Sequence, residues 1–420
     1  MKFRTIKGTK DILPADVAAW QHVEETVRQV MHAFNYREIR TPVIEQTGLF
    51  ARSIGELTDI VSKEMYTFLD RSEESVTLRP EGTAAVLRAY IQNNLGEQSP
   101  LAKVYYIGPM FRQERPQAGR LRQFHQFGAE ALGSLSPQLD VEMILIPLEV
   151  YRRLGIDRCA VKINSVGCER CRPAYKKLLQ IELERVLSRL SEESKARTAL
   201  NPLRVLDSKD PDDLKATAGM PLMKDHLCED CRAHFDSVQH LLTVANVSFE
   251  IDGRLVRGLD YYTKTAFEIT STSLGSQDAL MGGGRYDLLV KELGGKPTPG
   301  VGFAAGIERL LMVLTALKRS AGSAPVPTVF IAALDGPARD WAFATCQALR
   351  QQDIPAEIDY LDRSVKSQLR EANRQQAVCV IVVGDEELKS GQAKLKNMQS
   401  GEETPVRLDD LVSVLRKNYG

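Results

Sequence analysis

Near the start of the chain, Val17, Trp20, Val23, Val27, Val30, Met31 and Phe34 recur at helical spacing and predict a helix over Ala15 to Phe34. The pattern then changes, and Arg37 to Val43 reads as a strand; Pro42 near its end removes a ladder donor and confines it to an edge or an interface. A helix is expected over Gly82 to Gln92. Alternating residues over Lys103 to Arg112 and over Gln123 to Leu132 predict two antiparallel strands joined by a long basic loop, Glu114 to Arg122. A helix over Val141 to Arg153 follows. Strand character then disappears between Asn164 and Asn246, where the pattern is helical and charged, with Tyr175 to Leu190 strongly periodic.

Alternation resumes at Ser248 to Ile251 and Thr265 to Thr270, and a glycine-dense stretch, Gly282 to Arg285, leads to Gly300 to Gly306 and a helix over Ile307 to Lys318. The small, Pro-rich, uncharged run Ser320 to Pro327 has linker composition. Beyond it the order is strand (Thr328 to Leu334), helix (Pro337 to Gln351), strand (Ala356 to Tyr360), helix (Val365 to Gln375), strand (Val378 to Gly384), a hairpin (Ala393 to Met398 and Thr404 to Leu408) and a closing helix from Asp409, a small α/β domain. The expected organisation is a body at 1–320 with a helical insertion at about 167–247, a linker at 321–327 and a second domain at 328–420; the whole is α+β.

A length of 420 residues suits two or three folding units. No stretch approaches the roughly 18 apolar residues of a membrane span, so no membrane partner is expected. Lys2, Arg4, Lys7, Lys10 and Asp11 occupy the region where an export signal would be apolar, and cytoplasmic residence is the expectation. Lys plus Arg and Asp plus Glu both number 55, so any contact with a polyanion must be local. Lys103, Arg112, Arg115, Arg120 and Arg122 form one basic cluster; Arg363, Lys366, Arg370, Lys389, Lys394 and Lys396 form another that reads as solvated faces.

The arginine hairpin, Phe111 to Arg115 and Arg120 to Gln126, suits phosphate, because guanidinium groups on rigid strands donate paired hydrogen bonds to its oxygens; a salt-bridged surface hairpin is the plain alternative. The glycines near Gly282 and Gly300 fit neither the phosphate loop, which needs Gly-Lys-Ser/Thr, nor the dinucleotide spacing, yet a glycine-lined strand before Glu308 and Arg309 permits close approach by a flat ligand. Arg257 to Thr263 places a cation, a carboxylate and two phenols in seven residues, the makings of a polar pocket. Cys168 and Cys171, and Cys228 and Cys231, are two Cys-x-x-Cys knuckles with four thiolates between them. Their separation is far longer than the usual ribbon spacing, so reduced thiols are expected and no metal site is assigned. Cys159, Cys346 and Cys379 read as core. Among the histidines only His125, within the hairpin, lies near the candidate chemistry.

Taken together, Gly8 to Pro14, the Pro42 strand, Arg79 to Thr83, Gly108 to Arg115 with Arg122 to Glu130, Leu255 to Thr263 and Gly282 to Asp287 resemble the histidyl-tRNA synthetase family of class II aminoacyl-tRNA synthetases, in the family's order over nearly the whole chain. The first class motif falls on the Ala15 helix and Pro42 strand, the second on the arginine hairpin, the third on Gly300 to Leu310. The resemblance implies an antiparallel-sheet catalytic core, a first motif at a homodimer interface and a C-terminal anticodon-binding domain. It implies ATP and Mg²⁺ as cofactors, and histidine and tRNA(His) as partners. Glu81, Gly82 and Thr83 would hold the α-ammonium, and Gln126, Glu130, Tyr261 and Tyr262 the imidazole. Arg112 would grip the α-phosphate with Glu114 beside it, Phe124 and Arg309 would enclose the adenine, and Arg120 would reach the terminal phosphates. Arg257 would face Arg112 across the reacting phosphate, so that both also meet the histidine carboxylate. Two rivals are a non-catalytic regulatory paralogue of ATP phosphoribosyltransferase, expected to lack or degrade the Arg257 phrase and the C-terminal domain, and a nucleotide-binding oxidoreductase, which the glycine spacing and antiparallel core oppose.

Overall fold

In the computed structural model the N-terminal periodicity becomes the helix Pro14–Ala33, whose Val23, Val27, Val30 and Met31 are fully buried. The structure describes every residue except 1–2, 56–57, 59, 118, 257–260, 272–278, 320–321, 323–325 and 420. The chain forms two compact units, Met1–Ser323 and Ala324–Gly420.

The first unit carries strands β1 (Arg37–Glu38), β2 (Ile44–Gln46), β3 (Tyr66–Leu69), β4 (Ser75–Leu78), β5 (Ala102–Phe111), β6 (Gln123–Leu132), β7 (Ala160–Ser165), β8 (Phe249–Ile251), β9 (Thr263–Thr270), β10 (Ala279–Arg285) and β11 (Gly300–Gly306). Its main sheet runs β1-β5-β6-β11-β10-β9-β7-β8, and only the edge strands β1 and β8 pair in parallel. A small sheet, β2-β4-β3, is formed between the first helix and the helix Thr83–Gln92 in sequence, with the helix Thr47–Ile54 following β2. The sequence pattern gave no sign of it, because Ile44, Phe68 and Leu69 are exposed and the strands are short.

Alternation along β6 separates two environments. Phe127, Ala129 and Ala131 join the apolar core, which includes Val23, Val27, Met143, Ile144 and Leu310 from the helices Pro14–Ala33, Pro137–Arg153 and Ile307–Ala316. Phe124, Gln126 and Glu130 belong to the opposite face, where the candidate chemistry lies.

The strand expected over Arg37 to Val43 is shorter than its apolar pattern. After Glu38 one more ladder bond forms, Ile39 N–H to the Tyr105 carbonyl at 2.8 Å, and the chain then turns away. The Thr41 carbonyl and hydroxyl instead accept from Arg79 Nη1, each at 3.0 Å. Pro42, with no N–H, has no place in a continuing ladder.

Between β7 and β8 lies a helical module containing Arg172–Arg185, Glu192–Leu200, Pro211–Ala216 and Glu229–Val244. A buried ionic cluster fastens it to the sheet. Arg285 at the end of β10 donates Nε to both Asp140 oxygens at 3.2 and 3.1 Å, and His234 of the module lies 3.1 Å from Asp140. Asp140 is fully buried, and its pKa stays below the usual value: burial raises it, but His234 and Arg285 together outweigh that.

The second unit is a five-stranded sheet of β12 (Val329–Ala333), β13 (Ala356–Ile358), β14 (Cys379–Val383), β15 (Gln392–Asn397) and β16 (Glu403–Arg407), in the order β13-β12-β14-β15-β16. β12 pairs in parallel with β13 and β14, and β15 and β16 form the antiparallel hairpin. The helices Gly336–Arg350, Val365–Arg374 and Leu411–Tyr419 complete it. Among the described residues no helix is long and apolar enough to cross a membrane.

Candidate active site

The β5–β6 hairpin closes with Phe111 opposite Gln123, and the Arg112 N–H bonds the Arg122 carbonyl at 2.9 Å. The loop beyond is held from outside, since the Arg122 N–H donates to the Gly8 carbonyl at 2.7 Å. Arg112 is therefore fixed at its backbone, and its side chain is fixed too: Nε donates to the Pro80 carbonyl at 2.9 Å and the guanidinium lies over the Phe124 ring, 5.4 Å from its centre. Glu114 stands between two cations, 3.7 Å from Arg112 and 3.6 Å from Arg120. Arg309, in the first turn of the helix after β11, donates to the Gly119 carbonyl at 3.4 Å and to Ala279. Burial lowers the Arg309 pKa, Arg120 and Arg112 lower it further, and Glu114 and Glu268 act in the opposite sense. Three guanidinium groups thus share this region with Glu114 and Glu268, and an anion placed among them would relieve their mutual repulsion.

These groups line one side of a cavity of about 480 Å³. The other side is acidic and aromatic. Glu81, just before the helix Thr83–Gln92, accepts from the Thr83 and Ala84 N–H groups at 2.6 and 2.9 Å, satisfying donors that a helix start leaves unpaired. Burial nevertheless raises its pKa. Glu130, fully buried on β6, accepts from Thr83 Oγ1 at 2.7 Å and from the Tyr286 hydroxyl. Burial pushes the Glu130 carboxyl up to about 8, the Tyr286 and Thr83 bonds oppose this, and the nearby Glu81 adds to it. Tyr261 packs against Tyr262 and Tyr286, with ring centres 4.7 and 5.6 Å apart. Gln126 Oε1 is buried with no hydrogen-bond partner among the described residues.

The glycines of β10 and β11 have a steric reason. A Cβ on Gly302 would lie 1.7 Å from Glu130 Oε2, and one on Gly284 would lie 2.6 Å from the Tyr262 ring. Glycine is poor in strands in general, which hides β10 in the sequence; here it lets the sheet approach the pocket groups.

Of the residues singled out from sequence, Glu81, Thr83, Arg112, Glu114, Arg120, Phe124, Gln126, Tyr261, Tyr262 and Arg309 line this one cavity. Glu130 lies behind it through Thr83, and Gly82 is buried where a Cβ would meet the Tyr106 ring at 2.3 Å. Arg257 lies outside the described residues, although Val256 and Tyr261 on either side of its segment both line the cavity. His125 points away from it: Nδ1 lies 3.0 Å from Glu308 and the ring meets Trp20 edge-on at 4.9 Å. Tyr286 and Glu268 belong to the lining and were not singled out. Tyr286 falls within the quoted Gly282 to Asp287 phrase, but nothing in its spacing distinguishes a pocket phenol from a core one. Arg204, Asp207 and Lys209 of the helical module also reach the cavity. Arg204 belongs to the short helix Leu203–Leu206, and Asp207 and Lys209 follow it in a polar turn that looks like any solvated loop.

Comparison with known proteins agrees over the full length. The family-wide sequence description "Histidyl-tRNA synthetase" matches residues 8–310, and "Anticodon binding domain" matches 328–418. A histidine--tRNA ligase of Chloroherpeton thalassium is 51% identical over 419 residues, covering 99% of this chain and 98% of that protein. One of Halothermothrix orenii is 48% identical over 420 residues, covering 99% and 100%. The crystal structure of apo histidyl-tRNA synthetase from S. aureus superposes with a TM-score of 0.85 at 36% identity, covering 99% of this chain and 100% of that one. With identity at this level from end to end, and an antiparallel sheet whose β5–β6 hairpin, β10 and β11 contribute to one cavity, the chain belongs to the histidyl-tRNA synthetase family.

Proposed function

We propose that this protein is a histidine–tRNA ligase: it joins histidine to ATP as histidyl-adenylate, releasing pyrophosphate, and transfers histidine to the 3′ end of tRNA(His). The observation that carries this reading is the division of a single cavity into a basic end, lined by Arg120, Arg309 and Arg112 with the Phe124 ring beneath Arg112, and a buried acidic end built from Glu81, Glu130, Gln126 and tyrosines. Full-length relatives named histidine--tRNA ligase at about half identity favour the enzyme over the regulatory paralogue.

Glu81, with Gly82 and Thr83 beside it, takes the α-ammonium, since a carboxylate already aligned by two backbone donors gains a charge-assisted bond without reorganising. Gln126 offers its buried oxygen, which has no partner among the described residues, to an imidazole N–H, and Glu130 sets the polarity of that end. Tyr261 and Tyr262 wall it. An apolar competitor would leave these groups buried without partners, so selection against it is strong. Phe124 and Arg309 take the two faces of the adenine, Arg112 the α-phosphate and Arg120 the terminal phosphates.

The histidine carboxylate attacks the α-phosphorus, the bond to the β-phosphate oxygen breaks, and pyrophosphate leaves. Arg112, held rigidly by the Pro80 carbonyl and Phe124, stabilises the charge on the equatorial oxygens before it develops. Arg257 supplies the second guanidinium. No protein nucleophile is needed. Glu114 and Glu268, the carboxylates that oppose the arginines' field at Arg309, are the hard oxygen donors that Mg²⁺ takes alongside substrate phosphates; when bound, that ion would neutralise phosphate charge. The unit at 324–420 recognises the anticodon, the working form is a homodimer, and the reaction belongs to the cytoplasm.

The test is ATP–pyrophosphate exchange with each amino acid in turn. Exchange with histidine alone supports the reading; exchange with none of them favours the regulatory form, and exchange with another amino acid rejects the pocket assignment.

A further inference from the structure

The helical module brings together the two cysteine knuckles that lie far apart in the sequence. Cys168 and Cys171 occupy the turn between β7 and the helix Arg172–Arg185; Cys228 and Cys231 open the helix Glu229–Val244. Cys168 Sγ lies 3.8 Å from Cys171 Sγ and 3.7 Å from Cys228 Sγ, and Cys171 Sγ lies 3.9 Å from Cys231 Sγ. All four sulfurs fall within 4.8 Å of one another. A zinc ion bound by four thiolates at about 2.3 Å in a tetrahedron sets the sulfurs about 3.8 Å apart along each edge. Cys168 has two sulfur neighbours at nearly one distance, which suits a shared centre rather than a preferred pairing.

Local backbone geometry repeats in the two knuckles. The Cys168 carbonyl accepts the Arg172 N–H and the Cys228 carbonyl accepts the Arg232 N–H, both at 2.9 Å. Cys168 N–H points to Cys171 Sγ at 3.3 Å, a donor that stabilises thiolate. Two long helices start at the cluster, so the positive ends of both face the charge that four thiolates and one divalent ion leave. Cys231 and Cys171 are buried, whereas Cys168 and Cys228 are half-buried. Small apolar packing alone accounts for the inner pair; it does not account for four sulfurs within 4.8 Å of one another.

We propose that Cys168, Cys171, Cys228 and Cys231 bind one structural zinc ion that clamps the module's two longest helices together and holds the wall of the amino-acid pocket. The link to the pocket is Arg172, the residue after Cys171. It donates Nε to the Val166 carbonyl at 3.0 Å and Nη2 to the carbonyls of Gly167, at 3.2 Å, and of Tyr262. Backbone bonds between Val166 and Lys264 (2.7 Å) and between Lys264 and Gly167 (2.8 Å) stitch the same turn to the start of β9. The effect on histidine rests on the proposed function; the metal does not.

Untagged full-length protein, dialysed against a weak chelator, is assayed for metal by mass spectrometry, and its thiols are titrated under native conditions. The expected result is about one zinc per chain, thiols that react only as zinc is released, and an intense thiolate-to-metal visible spectrum after exchange with Co²⁺. Cys168→Ser with Cys228→Ser should abolish binding, lower the Tm and raise the histidine KM more than the ATP KM. Wild-type protein that is folded yet metal-free, with four freely reactive thiols or with disulfides in their place, and that gives no such spectrum with Co²⁺, overturns the proposal whether or not it exchanges pyrophosphate. Zinc bound with no change in histidine KM on its removal keeps the site and overturns its link to the pocket.

Discussion

The two ends of the cavity solve opposite electrostatic problems. At the basic end, guanidinium groups crowd one another, and Glu114 and Glu268 moderate the field at Arg309. Bringing a phosphate there relieves repulsion, so binding and catalysis draw on one source. At the acidic end, burial raises the pKa values of both Glu81 and Glu130, and the charge of Glu81 raises that of Glu130 further. Those carboxylates become comfortable as anions only when a cationic or N–H-rich ligand arrives. The contrast shows how a site can be complementary to a molecule in its absence: each end is destabilised by the charge its ligand neutralises.

Breaking the basic end should cost most. Arg112→Ala removes a preorganised donor aimed at the reacting phosphate, and exchange kcat should fall about 10²- to 10³-fold, with the histidine KM changed far less. Arg257→Ala should behave alike; near-normal exchange by that variant would remove it from the mechanism. At the acidic end, Glu81→Gln keeps a hydrogen-bond acceptor for the helix start but deletes the charge. The histidine KM should rise about 10- to 100-fold, since a hydrogen bond to a charged group contributes about 1.5–3 kcal/mol, and the ATP KM should stay within a few-fold. Equal shifts in both would show that the two ends are not separate sites.

The pH dependence sharpens the contrast. Glu130 has a folded pKa of about 8 against an ordinary 4.5, so the folded apoprotein retains a proton that the unfolded chain releases. Its contribution to stability is full below about pH 4.5 and is lost as pH rises through 8. Thermal melts should therefore show apo Tm falling over that window, with the slope reduced in Glu130→Gln. Saturating histidine, by favouring the ionised carboxylates, should flatten it as well. The smallest effect is expected at Arg120, whose side chain is about half exposed: Arg120→Ala should raise the ATP KM only a few-fold, because exposed charges are screened.

The ends also differ in how far they could be read from the chain. Arginines cluster in sequence because both strands of a hairpin carry them, so Arg112 and Arg120 stood out before any family likeness was considered. Glu81 and Glu130 are ordinary glutamates, 49 positions apart by their numbers, and nothing in local pattern joins them; they were assigned only through resemblance to a family. Tyr286 was missed for the same reason, since its partner Glu130 comes from another strand. Pro14–Ala33 was legible because it buries one face, and the strands after Pro327 because continuous apolar runs such as Val329–Ala333, buried on both faces, alternate with helical segments. The sheet β2-β4-β3 was not, since its strands are short and largely exposed. Glycine in β10 reads as a loop until the pocket it makes room for is known.

The most direct test of a divided cavity is calorimetric titration of Gln126→Leu, once with histidine and once with ATP. Gln126 Oε1 is a buried acceptor with no partner among the described residues, and the leucine removes it at similar volume. The account predicts histidine affinity lowered about tenfold or more and ATP affinity unchanged. Unchanged histidine binding, or a matching loss of ATP, would contradict it.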